Sequence, residues 1–268
     1  MKKTNYVACE GKSDSTIVRE KMLGYSWFQT ITLREAQLVG NNTKLLRFDF
    51  PKKDQVSGHT VHSVVLLRVA KPGTENSYWP SYVLRPYTPV SEGTTLGYIE
   101  FIIKSYENGT ASKYLNNLKP GDKVQVWGPV NKYIYEPNKY DSIGLIAGGS
   151  AIAPMLQLLR KILNNPEDKT KVSFLYCNST EEDIILREEL DNMAAKRPDQ
   201  FKVTHIISKP SATWGGESGR ITAEMVKKHM PLPNDNSMML VCGPKGLVKQ
   251  VVGSRGFIFK GTKGILEE

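Results

Sequence analysis

The segment Ser142–Asn165 reads SIGLIAGGSAIAPMLQLLRKILNN, and its two parts follow different periodicities. The first part is an uninterrupted apolar run that ends at Gly148 and Gly149, as expected of a strand buried on both faces. In the second part the apolar residues from Met155 onward recur at the spacing of one broad helical face. The segment therefore predicts a strand, a glycine turn and a helix, the opening unit of a parallel α/β sheet.

The same alternation continues towards the C-terminal end of the sequence. Further strands are predicted at 171–179, 201–208 and 237–244, and further helices at 183–197 and 222–230. Strands that alternate with helices form βαβ units around a parallel sheet. We therefore predict an α/β nucleotide-binding domain over residues 140–268.

The sequence before this domain has a β periodicity. Short apolar or alternating runs recur between turn sequences, which predicts an antiparallel β-barrel domain over residues 24–134. One helix is expected at about 112–118, with Ser112 as its cap. Residues 1–23 mix charged and polar residues without an apolar core, and we expect a flexible leader there.

Composition narrows the classes of partner. The 268 residues include 36 Lys and Arg against 27 Asp and Glu, a formal charge of +9 that favours an acidic partner. These cations are scattered, so we do not expect nucleic acid. Three cysteines lie far apart with no metal-ligand spacing, which predicts a reducing compartment and no metal site. No apolar stretch approaches the roughly 20 residues that a membrane-spanning helix needs.

One extended stretch, VLRPYTPVSEG at Val83–Gly93, combines a cation with an aromatic ring. Alternate residues of extended backbone share a face, so Arg85 and Tyr87 should project together with the Thr88 hydroxyl nearby. This grouping suits a ligand with a phosphate and a flat ring system. An arginine packed over a tyrosine at a solvated strand edge explains the same residues, and both interpretations stay open.

A second stretch, KSYENGTASKYL, predicts an anion site at a helix start. Lys104 and Tyr106 leave a strand on the same face, and Thr110 to Ser112 open the short helix. A helix N-terminus with a free hydroxyl suits a phosphate. A simple capped helix is the alternative.

Two glycine turns mark the expected ligand edge of the parallel sheet. In AGGSAIAP, Gly148 and Gly149 allow a sharp turn, and Pro154 suits the opening of a helix that attracts phosphate. In VCGPKG, Cys242 ends a buried strand at the same edge. An ordinary turn and an inert buried thiol are the alternative interpretations.

In sequence order, the motifs of residues 24–253 resemble the NADH-cytochrome b5 reductases, within the ferredoxin-reductase-like flavoproteins. The motifs are RPYTPVS, IIKSYENGTASKYL, GDKVQVWGP, LIAGGSAIAPMLQLLR, STEEDIILREELD and VCGP. GPVNKY and RPDQFKV are most similar to the fungal, mitochondrial type. The resemblance implies an FAD-binding barrel followed by an NAD(P)-binding domain.

The resemblance also implies roles for single residues. FAD would be bound by Arg85, Pro86, Tyr87, Thr88, Ile102, Lys104, Tyr106, Thr110, Ala111, Ser112 and Ser150. NAD(P)H would be bound by Gly148, Gly149, Pro154, Ser208, Arg220, Cys242, Gly243 and Pro244. Thr88, Lys104 and Cys242 would be the catalytic residues, and no metal is implied. The implied reaction takes a hydride from NAD(P)H and passes single electrons to cytochrome b5 or a similar acidic haem protein.

Several residues depart from the family pattern. Ala151 stands where a glycine is usual. The family ends on an aromatic strand; the tail of this chain has Phe257 and Phe259, but its sequence resembles the start of the helix that precedes that strand. A flavin-binding protein with impaired nicotinamide reduction is therefore an alternative, as is a basic interaction module with empty sites. Ser208, followed by Lys209, replaces the acid of NADH users, so NADPH is a possible substrate.

The resemblance also bears on location. It implies a protein that faces the cytoplasm, at a mitochondrial or endoplasmic reticulum membrane. Relatives often carry an N-terminal anchor, and the sequence shows none.

Overall fold

The computed structural model describes residues 6–9, 17–24, 26–71, 73–74, 78, 81–234, 236–253 and 263–267. The chain divides into two compact units, Met1–Tyr135 and Glu136–Glu268. The division falls within the segment 135–139 that lay between the two predicted domains.

The first unit is built almost entirely from strands. Its elements are β1 (Tyr6–Cys9), β2 (Ile17–Glu20), β3 (Gln29–Gly40), β4 (Thr43–Asp49), β5 (Ser63–Ala70), β6 (Tyr82–Tyr87), β7 (Tyr98–Lys104), α1 (Thr110–Asn117) and β8 (Lys123–Asn131). Strands β1 and β2 pair with each other, and the other six form an antiparallel sheet in the order β6-β5-β8-β3-β4-β7.

The six-stranded sheet closes on itself. Just after β6, Pro89 bridges to Phe101 of β7, and the Val90 amide donates to the Glu100 carbonyl at 2.8 Å. Inward side chains alternate along the strands and fill the interior; Val65 and Leu67 of β5 are fully buried. The predicted antiparallel barrel is confirmed.

The barrel begins earlier than the expected boundary at Gly24. Met22 and Leu23 are 2% and 1% exposed and belong to the barrel core. The Met22 amide donates to the Val56 carbonyl at 2.8 Å, and the Val56 amide donates to the Glu20 carbonyl at 3.0 Å. The C-terminal part of the expected leader is therefore part of the folded unit, because its apolar pair is buried in the core.

Helix α1 also begins earlier than expected. It starts at Thr110 with Gly109 at the cap position, so Ser112 lies within the first turn. The Ser112 hydroxyl donates to the Gly109 carbonyl at 3.2 Å and accepts from the Tyr106 amide at 3.3 Å. Ser112 therefore holds the preceding loop and does not cap the helix.

The second unit alternates strands and helices. Its elements are β9 (Ser142–Gly148), α2 (Ile152–Leu163), β10 (Lys171–Asn178), α3 (Arg187–Lys196), β11 (Phe201–Ile207), β12 (Glu217–Ser218), α4 (Ala223–His229), β13 (Ser237–Cys242) and α5 (Lys245–Val252). The strands form a parallel sheet in the order β12-β11-β10-β9-β13. The predicted α/β domain with a parallel sheet is confirmed.

Three elements of this unit differ from expectation. Helix α3 begins at Arg187 instead of residue 183, because Leu186 adopts a left-handed conformation with φ of 57°. The two-residue strand β12 and the helix α5 were not predicted. Helix α2 begins at Ile152, so Pro154 is its third residue and lies in the first turn, where its missing amide costs little.

Candidate functional site

In the first unit the predicted site lies where β6, β7 and α1 meet. Tyr87, the last residue of β6, packs against the barrel core with its ring edge-on to Phe101, at a centroid distance of 6.5 Å. Burial raises the pKa of the Tyr87 phenol to about 12, the Arg85 charge opposes this rise, and Tyr106 adds to it. Arg85, Tyr87 and Tyr106 are therefore close enough to interact, as the alternation along β6 predicted for the first two.

The side chain of Arg85 remains accessible. It is exposed, and its Nη1 donates to the Leu84 carbonyl at 2.9 Å. Thr88, which follows Tyr87, is half-buried. An exposed guanidinium beside a fixed phenol offers a phosphate-binding group next to an aromatic surface.

Strand β7 presents its site residues on the face away from the barrel core. Ile99, Phe101 and Ile103 point into the core, so Ile102 and Lys104 share the opposite face. Ile102 is 5% exposed and Lys104 is half-buried.

The loop before α1 is shaped by one glycine. A β-carbon on Gly109 would lie 2.2 Å from the Ser112 Oγ, so only glycine allows the serine to fold back onto the loop. The Ser112 hydroxyl has partners on both sides and is not the free group that the sequence analysis expected. The first backbone amides of α1, next to the exposed Thr110, are the groups that this helix start can offer to a phosphate.

A cavity of about 670 Å³ runs along α1. It is lined by Gly109 and Thr110 of the predicted phosphate loop, and also by Lys113, Asp122 and Lys123. It does not include Arg85, Tyr87 or Lys104. Of the predicted FAD residues, Thr110 therefore borders this cavity, whereas Arg85, Tyr87 and Lys104 lie outside it.

In the second unit the ends of β9 and β13 form one glycine-rich edge. The register pairs Cys242 of β13 with Ala147 of β9, so Gly243 follows beside Gly148. A β-carbon on Gly243 would lie 3.2 Å from the Gly148 amide nitrogen. Gly149 has a φ of +56°, and a β-carbon there would meet nothing within 4 Å. This arrangement leaves open space over a bare backbone turn, which fits a diphosphate.

The residues that follow Gly149 keep an ordinary backbone. Gly149–Ala151 form a single 3₁₀ turn, and Ala151 has φ −71° and ψ 3°, a negative φ that does not require glycine. The Ala151 methyl group therefore does not distort the turn. The aromatic residues of the tail, Phe257 and Phe259, lie outside the described residues.

Cys242 carries a neutral thiol. Burial raises its pKa, and a hydrogen bond involving the Gly243 backbone opposes this rise. A neutral, partly buried thiol is a poor nucleophile, so any role for Cys242 is one of packing and polarity. Cys177 of β10, which β9 separates from Cys242, is buried more deeply, and burial raises its pKa to about 12.

The predicted specificity residues also meet at this edge. Strand β11 ends at Ile207, whose carbonyl accepts from the Gly219 amide at 2.9 Å, so Ser208 and Arg220 follow adjacent strands. Ser208, Lys209 and Arg220 are exposed. Arg220 lines a cavity of about 500 Å³ whose described lining includes Lys249 and Lys263 and no acidic residue.

Sequence reasoning missed two cations that line this cavity with Arg220. Lys249 and Lys263 were passed over because each is an isolated cation in the sequence. Among the described residues no cluster of His, Cys, Asp or Glu could hold a metal ion.

Comparison with known proteins gives consistent matches. Residues 30–135 match the family "Oxidoreductase FAD-binding domain", and residues 145–253 match the family "Oxidoreductase NAD-binding domain". The NADH-cytochrome b5 reductase 2 of Lodderomyces elongisporus is 42% identical over 86% of this chain and 75% of its own length. The NADH-cytochrome b5 reductase 1 of Dictyostelium discoideum is 39% identical over 87% of this chain and 79% of its own length. The cytochrome b5 reductase domain of Ulva prolifera nitrate reductase superimposes with a TM-score of 0.78 at 28% identity, over 85% of this chain and 92% of that one.

Proposed function

Because the chain belongs to the NADH-cytochrome b5 reductase family, we propose that it reduces a small acidic haem protein of the cytochrome b5 type. It is an FAD-dependent oxidoreductase that uses NADH. The observation that carries the proposal is the cluster of Arg85, Tyr87 and Tyr106 beside the start of α1, which combines a phosphate-binding cation with aromatic surface.

We assign FAD to the first unit. When bound, FAD supplies the step that no side chain can perform, accepting two electrons as a hydride and releasing them singly. The Arg85 guanidinium and the leading amides of α1 would hold its diphosphate. Tyr87 is fixed against Phe101 and would present a rigid surface to the ring system, with Thr88 and Lys104 next to it. The residues present fit this cofactor, because the guanidinium and the helix start are both accessible.

We assign NADH to the carboxyl edge of the parallel sheet. The bare turn at Gly148 and Gly149 would receive the diphosphate. Cys242, with its neutral thiol, would offer the nicotinamide an uncharged contact. The chain's own residues thus bind and orient, and no side chain has to act as a general acid or base in this assignment.

The acceptor follows from charge as well as from family membership. A formal charge of +9 would speed the encounter with an acidic protein through long-range steering. We place the protein on the cytoplasmic side of a mitochondrial or endoplasmic reticulum membrane, because the family resemblance implies it. Within the described part of the chain, every helix falls short of the length and apolar character that a membrane span requires.

The proposal is tested by following the flavin. The purified protein should be yellow, and NADH should bleach this colour under anaerobic conditions. Added oxidised cytochrome b5 should then restore the colour while its haem is reduced. A flavin that NADH bleaches but cytochrome b5 leaves reduced would refute the proposed acceptor. A flavin that NADH fails to bleach would favour a flavin-binding protein without nicotinamide reduction.

We further propose that NADPH is also a substrate. Ser208 and Lys209 offer a hydroxyl and a cation at the edge position where an acid would repel a 2′-phosphate. Arg220, Lys249 and Lys263 line the adjacent basic cavity. The test is the ratio of kcat/KM for NADPH and NADH; a ratio as low as that of a strict NADH enzyme overturns this second proposal.

A further inference from the structure

One side of the barrel carries aromatic and apolar side chains on its outer surface. In β5, Leu66 and Arg68 point away from the core, because Val65, Leu67 and Val69 fill it. The strand register brings outward residues of β6 and β8, and the residue before β3, onto the same surface. We call this group the outer patch; its members are Phe28, Leu66, Arg68, Tyr82, Leu84 and Trp127.

The outer patch is accessible to a partner. Leu84 is 43% exposed and Tyr82 is 42% exposed. Elsewhere on the same barrel the outer surface carries paired charges, as where Arg47 of β4 contacts Glu35 at 3.0 Å and Glu100 at 2.8 Å. Paired charges are typical of a solvated surface, whereas a group of exposed apolar side chains is typical of a binding surface.

Arg68 is the cation within the outer patch. Its guanidinium carbon lies 3.6 Å from the centroid of the Tyr82 ring and 5.3 Å from that of the Phe28 ring. Cation–π attraction to the two rings holds the guanidinium in place. Among the described residues the guanidinium has no ion pair or hydrogen bond. Its N–H groups can therefore donate to an external acceptor such as a phosphate.

The surroundings of the outer patch add no negative charge. The neighbouring outward positions of β5, β6 and β8 are Ala70, Pro86, Gln125 and Lys123, and none of them is acidic. The described surface around the aromatic side chains is therefore positive, which favours an anionic partner.

Two other occupants fit this surface less well. Arg85 and Tyr87, which we assign to the flavin, pair with the core residues Leu67 and Val65 and so lie on the other face of β6. An electron acceptor is expected on that flavin side and not on the outer patch. A second copy of the chain would bring its own Arg68 to the interface without a counter-charge.

We propose that the outer patch docks on the headgroup region of an anionic lipid bilayer. Tryptophan and tyrosine side chains favour the interface between membrane and water, and Arg68 would bind a lipid phosphate. The formal charge of +9 would attract the protein to an anionic surface. Docking of this kind is independent of the proposed reaction, since neither NADH nor an electron acceptor takes part.

Co-sedimentation of the full-length, FAD-loaded protein with lipid vesicles is the test. The vesicles consist of phosphatidylcholine alone or of phosphatidylcholine with phosphatidylserine. The native protein should bind the anionic vesicles roughly 10-fold more tightly than the neutral ones. Leu84→Glu places a carboxylate in the outer patch and should weaken binding to the anionic vesicles roughly 10-fold.

Leu38→Glu is the matched control, because it changes the net charge by the same amount. Leu38 is 68% exposed and pairs with Lys44 in the part of β3 that joins β4, outside the outer patch. This variant should bind the anionic vesicles almost as tightly as the native protein. If Leu84→Glu fails to fold, Tyr82→Ser removes an exposed ring without adding a charge and should also weaken binding.

Three results would overturn the proposal. The native protein may bind anionic vesicles no more tightly than neutral ones, which would exclude an anionic lipid surface as the occupant. Leu84→Glu and Leu38→Glu may weaken binding equally, which would show that net charge alone directs it. Sedimentation may instead reveal a dimer that Leu84→Glu dissociates, which would assign the outer patch to a second copy of the chain.

Discussion

The β-carbon position of Gly243 lies 3.2 Å from the amide nitrogen of Gly148, so the turns after β13 and β9 pack backbone against backbone. Gly148 is itself enclosed, since a β-carbon there would lie 3.0 Å from both Leu247 and Pro244. The two turns proposed to hold the dinucleotide are therefore fixed by each other. Their spacing depends on both residues being glycine.

Gly243→Ala should consequently weaken the second unit. The added methyl group would also lie 2.8 Å from Leu247 Cδ2, so we expect a loss of about 1 kcal/mol in the free energy of unfolding and a higher KM for NADH. Urea denaturation and steady-state kinetics measure the two effects. Gly246→Ala is the control; its methyl group meets nothing within 4 Å and should stabilise α5 by about 0.5 kcal/mol. Equal effects of the two substitutions would contradict the packing argument.

His59 predicts a pH dependence of stability in the first unit. Its ring is buried, its Nδ1 lies 2.7 Å from the Ser57 Oγ, and burial lowers its pKa to about 4 from the ordinary 6.5. Between these two values the unfolded chain binds a proton that the folded protein does not, so stability falls as the pH falls through this window. We expect His59 to account for a loss of about 2 kcal/mol between pH 7 and pH 4.5.

The measurement is urea unfolding of native protein and His59→Gln at both pH values. The variant should lose less stability than the native protein on acidification, by about that 2 kcal/mol. A parallel decline of the two proteins would mean that other groups are responsible.

Much of the fold could be predicted because its signals are local and periodic. The strand, glycine turn and helix at residues 142–163 follow from apolar periodicity alone. The alternating burial along β5 does not, because residues 64–67 are apolar on both faces of that strand. Boundaries were wrong where tertiary contacts decide. Met22 and Leu23 are too short a run to show a period, and their burial depends on the barrel. Leu186 fits a helical pattern, yet its left-handed backbone delays α3.

The part of the candidate site that could be predicted is the part formed by side chains close together along a single strand. The proximity of Arg85 and Tyr87 follows from the two-residue repeat of β6. The hydrogen bonds of the Ser112 hydroxyl could not be predicted in this way, because they depend on the loop conformation that Gly109 permits.

Arg85 should determine how tightly FAD is held. Arg85→Ala removes the exposed guanidinium proposed to bind the diphosphate, and we expect the Kd for FAD to rise about 10- to 100-fold. Titration of the apoprotein with FAD, followed by flavin fluorescence, measures this. Arg34→Ala is the matched control, because Arg34 is an exposed arginine on the same barrel that pairs with Asp49 at 2.5 Å. An unchanged Kd in Arg85→Ala would remove Arg85 from the proposed FAD site.

Ser208→Asp should shift the choice of nicotinamide nucleotide. The carboxylate would repel a 2′-phosphate and accept hydrogen bonds from ribose hydroxyls, so the ratio of kcat/KM for NADH over NADPH should rise about 10- to 100-fold. Ser208 is exposed, and its backbone hydrogen bond to Asn178 does not involve its side chain, so the fold should tolerate the change. Arg220→Ala should shift the ratio in the same direction by lowering the efficiency with NADPH alone. Arg197→Ala is the control, because it removes an exposed charge elsewhere on the same unit, and it should leave the ratio unaltered. A comparable shift in Arg197→Ala would show that the net charge of the protein, and not the cations beside Ser208, selects the nucleotide.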